Sequence, residues 1–225
     1  MGVLQNIGRA LGGHSWRVAD QAAAQAAQQL AYPAQLNLDG VEITLRLLDA
    51  GDKDAMLAFA RTLPDHDMLF LRRDITEPEV VDAWLRDVAD GFNTTVIAVR
   101  DGAIVGYAGV NSDRMSWTRH VAELRVLVSA SMRGKQLGRL LTEQAFALAR
   151  DRGVKKMMAQ MTTDQSAALR VFARMGFQRE ARLRNQVMDR DAGLHDLQIM
   201  SLDVDEFQAR IDVMLLSAQS EFMGI

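Results

Sequence analysis

One stretch in the middle of the chain has the composition of an anion cradle. It reads Val126-Leu127-Val128-Ser129-Ala130-Ser131-Met132-Arg133-Gly134-Lys135-Gln136-Leu137-Gly138-Arg139-Leu140-Leu141. An apolar run enters a turn carrying two glycines and three basic residues, and the turn opens a helix. The first amides of a helix have no intrahelical acceptor and point outward. The helix dipole adds about half a positive charge at the same place. Gly134 and Gly138 let the backbone approach an anion, and Arg133, Lys135 and Arg139 supply charge for phosphates. Together these features suit a pyrophosphate. An ordinary helix start with solvated basic side chains has the same composition, so the surrounding elements must decide. The chain contains neither GxxxxGK[ST] nor GxGxxG at this turn, which separates it from Walker loops and dinucleotide fingerprints.

The elements that would position this turn are read from periodicity. Residues 41–48 alternate and predict a strand, and residues 52–62 predict a helix. Thr76 and Glu79 form a capping-box pattern ahead of a helix that Gly91 ends. Residues 94–99 and 103–110 predict a hairpin around Asp101-Gly102. A strand over 120–128 leads into the turn, and a helix over 136–152 follows it, closed by Gly153. Residues 155–161 predict a strand, Asp164 is expected to cap a helix ending at Gly176, and residues 177–188 and 195–202 predict a last hairpin. Hairpins and crossovers together imply an α/β fold with a mixed sheet.

Composition bounds the function. The chain has 225 residues, 48% of them hydrophobic and 24% charged, enough for a folded core. Its net charge of -3 argues against nucleic acid as a partner. It has no cysteine, which excludes disulfides, thiolate metal sites and a cysteine nucleophile, and fits a reducing cytoplasm. Its four histidines are scattered, so no metal is expected. No run of 18 apolar residues exists, so no membrane association is expected either. Residues 1–38 differ from the rest. Their Gln- and Ala-rich segment predicts a helical arm, ended by Pro33, that packs on the domain or joins subunits into a homodimer. The implied organisation is an arm over 1–38, a main folded domain over 39–205 and a helical tail over 206–225.

Two motifs in the right order resemble the GCN5-related N-acetyltransferase (GNAT) family. Arg133-Gly-Lys-Gln136-Leu-Gly138 resembles its pyrophosphate signature, Arg/Gln-x-x-Gly-x-Gly/Ala, with Gln136 in place of the first signature glycine. Asp164-Gln-Ser-Ala167, continuing to Phe172-Ala-Arg-Met-Gly176-Phe177, resembles the family's Asn-x-x-Ala and Gly-Phe helix. The resemblance covers about residues 41–205. It implies a mixed, mostly antiparallel sheet that splays between the family's fourth and fifth strands, here 120–128 and 155–161, with helices on both sides.

The resemblance also implies a function: transfer of an acetyl or other acyl group from CoA to a primary amine, on a small molecule or a protein, by direct attack. Acetyl-CoA would be the co-substrate, with no metal. Its pantetheine would run beside Leu127, Val128 and Ser129. Its pyrophosphate would meet Arg133, Gly134, Lys135, Gln136, Leu137, Gly138 and Arg139. Asp164 takes the place of the family asparagine and Phe172 that of the usual acid tyrosine. Glu123 is the expected base, four residues before Leu127 and so on the same strand face. Pairing with Arg125 or Arg119 would equally explain it, and His120 is a weaker alternative. Asp65, Asp67 and Asp74 fall in the region that would meet an amine. Phenylalanine cannot protonate a departing thiolate, so a catalytically weak or inactive CoA-binding module is the competing expectation.

Overall fold

The structure, a computed structural model, describes residues 30–113 and 115–223. The chain runs β1 (Ala34–Leu38), β2 (Val41–Leu47), a short 3-10 turn (Ala50–Asp52), α1 (Lys53–Ala60), α2 (Asp65–Met68) and α3 (Pro78–Ala89). It continues through β3 (Asn93–Arg100), β4 (Ala103–Asn111), β5 (Val121–Val128), α4 (Leu137–Asp151) and β6 (Lys156–Thr162). It closes with α5 (Ser166–Arg174), β7 (Gln178–Met188), β8 (Leu194–Asp203) and α6 (Val204–Met223). All eight strands form one sheet in the order β1-β2-β3-β4-β5-β6-β8-β7. Its neighbours are antiparallel except β5 and β6, the crossover pair joined through α4.

Each face of the sheet has its own core. One holds Leu45, Val96, Ala108 and Leu124 beneath Leu137, Leu141 and Phe146 of α4. The other holds Ile97, Tyr107 and Leu127 beneath Met56 and Phe59 of α1 and Val81 of α3. Gly106 of β4 sets how closely α4 lies on the sheet. A Cβ there would stand 3.0 Å from the Leu127 carbonyl oxygen, 3.1 Å from Leu141 and 3.3 Å from Leu137. The absent side chain thus admits the first turn of α4 and aims its N-terminus at the end of β5.

The arm expectation is corrected at its end. Residues 1–29 lie outside the described residues, and Ala34–Leu38 is a strand, not helix. Leu36 and Leu38 alternate with polar residues and pack on the core, while Asp39 and Gly40, both at positive φ, turn the chain tightly into β2. Leu30 and Tyr32 are tied to α4, the Leu30 amide and Tyr32 hydroxyl donating to Gln144 Oε1 at 3.2 and 3.0 Å. Burial pushes the Tyr32 hydroxyl up to about 12. The expected Thr76–Glu79 capping box does not form. The Thr76 amide and hydroxyl donate to Asp74 Oδ1 instead, and α3 begins at Pro78. The turns at Asp101-Gly102, Gly153 and Gly176 all have the expected positive φ.

Replacing Gly106 with alanine should force α4 away from β4 and destabilise the fold by about 1–3 kcal/mol. A thermal melt should register this as a fall of roughly 2–10 °C; an unchanged melt would mean that α4 is not seated by that glycine.

Candidate active site

The site is built where β5 and β6 part. Their pairing covers Val121–Leu124 against Lys156–Ala159 and stops there, four residues before β5 ends at Val128. On its other edge β5 stays paired with β4 to Val128, and the Ser129 amide donates to the Val105 carbonyl at 2.9 Å. Strand alternation therefore turns the backbone of Val126 and Val128 toward the opening. Leu127 presents its carbonyl to β4 and its side chain to the core beneath α1. Of the three expected pantetheine contacts, Val128 is the one whose backbone faces the gap.

The turn expected to hold the pyrophosphate stands at the mouth of this gap. A 3-10 turn at Ala130–Met132 leads through Arg133 and Gly134, the latter at φ +77°, to the N-terminus of α4. Leu137 is buried in the core, so only its amide can serve an anion. Gln136 takes φ +60° as the residue before α4. The helix predicted over 136–152 thus starts one residue later, and the residue replacing the signature glycine sits in the left-handed region that favours glycine. The basic side chains are not idle. Arg133 is ion-paired with Asp67 of α2, and Arg139 Nε donates to Glu143 Oε1 at 2.7 Å. Burial raises the pKa of Glu143, against the opposing pull of Arg139. Lys135 is half-buried in the turn.

At the inner end of the gap, Glu123 lies one residue before the last β5–β6 pair. Its side chain is 15% exposed and is held by Arg125 at 3.1 Å and Arg72 at 3.6 Å. Both the pairing expectation with Arg125 and the shared face with Leu127 are met. Glu123 lines a cleft of about 710 Å³ together with Arg72, Arg73, Trp84, Tyr107 and Gln160. The Trp84 indole donates to Thr95 Oγ1 at 3.1 Å and its ring packs 4.8 Å from that of Tyr107. Burial raises the Tyr107 pKa above the ordinary phenol value, with Arg125 lowering and Glu123 raising it. Arg72, Arg73, Trp84 and Tyr107 were not among the expected site residues. The alternation of β4 against β5 is the sequence signal that placed Tyr107 on this face; nothing in the sequence brought Arg72 or Trp84 there.

The second motif departs from expectation. Phe172 is a core residue, 8% exposed, with its ring edge-on to Phe177 at 5.0 Å. That packing accounts for the phenylalanine. Asp164 does not cap α5, whose first residue is Ser166 and whose N-cap is Gln165. Its carboxylate instead faces two histidines distant in sequence, His66 Nε2 at 3.2 Å and His195 Nδ1 at 4.0 Å. The scattered histidines of the sequence thus converge, two of them, beside the gap. Asp65 and Asp74 are paired with Arg190.

Substituting Gln136 with glycine should relieve the left-handed strain and stabilise the fold by about 0.5–1 kcal/mol after the entropy of the unfolded glycine is counted. A melting temperature that falls instead would mean that the Gln136 side chain holds the turn.

Comparison with known proteins agrees with this geometry. Residues 58–177 match the acetyltransferase (GNAT) family. The chain is 32% identical to streptothricin acetyltransferase of Streptomyces lavendulae over 89 residues, 39% of this chain and 46% of the relative. It is 31% identical to the L-amino acid N-acyltransferase MnaT of Escherichia coli K12 over 125 residues, 55% of this chain and 72% of the relative. The first of these is therefore spanned over less than half its length. Among solved structures, the Salmonella typhimurium protein yncA, determined with its cofactor acetyl-CoA, superposes with a TM-score of 0.62 at 23% identity, over 72% of this chain and 94% of that one. With a glycine-bearing turn at the N-terminus of α4, a sheet that forks beside it and a family match over residues 58–177, the chain belongs to the acetyltransferase (GNAT) family.

Proposed function

We propose that the chain is an N-acetyltransferase that moves the acetyl group of acetyl-CoA to the primary amine of a small molecule bearing an acidic group. The observation that carries this reading is the fork. It leaves strand backbone open between a phosphate-suited helix start and a cleft floored by a carboxylate. Pantetheine lies along Val126 and Val128 in place of the missing partner strand. The pyrophosphate rests on the amides of the turn over 133–139, with Arg133 and Lys135 beside it. Asp164 stands next to the pantetheine path.

The acceptor occupies the cleft. Its nitrogen lone pair attacks the thioester carbon, the C–S bond breaks, and CoA leaves as the thiolate. The proton of the attacking amine passes to Glu123, directly or through water. The Val128 amide is placed to polarise the thioester carbonyl, and proximity supplies most of the acceleration. Direct attack on a thioester needs no metal. Arg72 and Arg73 line the same cleft as Glu123, which favours an acceptor carrying an anionic group as well as an amine. The name of the L-amino acid N-acyltransferase relative supports that class over a protein amine. A cytoplasmic location is part of this proposal, supported by the need for acetyl-CoA. Among the described residues no helix is long and apolar enough to cross a membrane. Homodimer formation is tested by molar mass in solution.

One observation favours a second reading. Phe172 offers no hydroxyl to the leaving thiolate, as in a CoA-binding module that transfers slowly or not at all.

Acetyl-CoA at 100 times its dissociation constant should stabilise the protein by about 2.7 kcal/mol, a melting shift of several degrees. A Cβ at Gly138 would meet only Val128 Cγ2, at an ordinary 3.6 Å. Gly138→Val should therefore fold and lose that shift; a retained shift would move the pyrophosphate elsewhere. Glu123→Gln should keep the shift and lose about a hundredfold in kcat against an amino-acid panel. Unchanged turnover would remove Glu123 as the base. Binding without transfer by the unaltered protein would favour the module.

A further inference from the structure

We propose that His66, Asp164 and His195 form a binding site for a borderline divalent transition-metal ion such as Zn2+, with Asp189 orienting His195. The three residues come from three separate parts of the chain: α2, the segment between β6 and α5, and the start of β8. One ligand atom from each lies within 4.8 Å of the other two. The Asp164 carboxylate is the centre, with His66 Nε2 at 3.2 Å and His195 Nδ1 at 4.0 Å. The two rings are edge to face, 5.5 Å apart.

The arrangement around His195 is what a metal ligand needs. Its Nε2 lies 2.7 Å from Asp189 Oδ2. A proton held on Nε2 by that carboxylate leaves the Nδ1 lone pair free, and Nδ1 is the atom facing Asp164. A carboxylate that fixes the tautomer of a histidine ligand is the usual outer partner of such sites. Asp189 is itself held, accepting from the Gly193 amide at 2.7 Å and the Asp191 amide at 3.0 Å. A Cβ on Gly193 would lie 2.6 Å from Asp189 Oδ2, so the glycine keeps this carboxylate in place.

The spacing suits a small ion. Bonds of about 2.1 Å in tetrahedral geometry put ligand atoms roughly 3.4 Å apart. The His66–Asp164 separation already lies near that value, and the His195 contact closes by a side-chain rotation. His66 is half-buried on a short helix, which Gln165 secures by donating from Nε2 to the His66 carbonyl at 3.2 Å. Two imidazoles and one carboxylate favour Zn2+, Co2+ or Ni2+ over Mg2+ or Ca2+, which take oxygen ligands. Three protein ligands leave a further position for water or a ligand in the adjoining gap. The ion would clamp α2 to β8 across the mouth of the gap. The inference does not depend on acyl transfer, and its readout needs no CoA.

The test is Zn2+ binding to the full chain, measured by competition with a chromophoric chelator. One ion per chain is expected at micromolar concentration, with a melting temperature raised by a few degrees and no such rise with Mg2+. His66→Gln and His195→Gln should each weaken binding by about tenfold or more while leaving the metal-free melt intact. Asp189→Asn, which touches no ion, should weaken it by about 10–100-fold. Absence of Zn2+ retention at micromolar concentration would overturn the site. So would stoichiometric binding that survives in the His66→Gln/His195→Gln double variant, or an equal response to Mg2+. Unchanged affinity in Asp189→Asn would overturn its orienting role.

Discussion

Four residue pairs hold β5 to β6, and then the strands part. Everything that makes a site follows from that limit. A strand that loses its partner leaves backbone donors and acceptors that must be satisfied by something else. Here the far edge of β5 remains locked to β4 as far as Val128, so the strand cannot swing across to close the opening. The glycine at 106 brings α4 down onto β4 and fixes where its first amides point. The fork, the helix start and the cleft are consequences of one broken ladder, and moving any of them would mean re-pairing the sheet.

The two ends of the fork are joined through α2, by one side chain and one backbone carbonyl. Asp67 reaches Arg133 in the turn before α4, and the carbonyl of His66 accepts from Gln165 at the start of α5. The same short helix adjoins the region where an acceptor would enter. Two of the three basic side chains of the turn, Arg133 and Arg139, are therefore already paired with carboxylates. Glu123 is balanced in the same way by Arg125 and Arg72.

Much of this was legible in the residues. The hairpin at Asp101-Gly102, the apolar alternation of β5 and the glycine-bearing turn specify local geometry, and local geometry is what sequence periodicity reports. The β1–β2 hairpin carried the same signal in Asp39-Gly40, but it was masked by the Ala- and Gln-rich run before it. What could not be read was convergence. His66, Asp164 and His195 are separated by long stretches and meet only because β6 pairs with β8, setting Thr162 against Leu197. Arg72 reaches Glu123 for a similar reason, through the seat of α3 on the sheet. Gln136 shows the opposite limit. Its motif position was clear, yet its left-handed backbone depends on how the turn closes onto α4, which residue type alone did not reveal.

The first strand has a consequence for how the protein is handled. A chain cut at residue 39, the boundary that composition alone proposes, would retain every residue of the site. It would also lose β1 and turn β2 into the edge of the sheet. β2 carries Val41, Ile43 and Leu45 in alternation, and its outer backbone groups are at present paired along Ala34–Leu38. Uncovered, that row is a template for another chain. The short strand therefore works as a trim: it takes over the edge of the sheet and presents five residues there in place of seven.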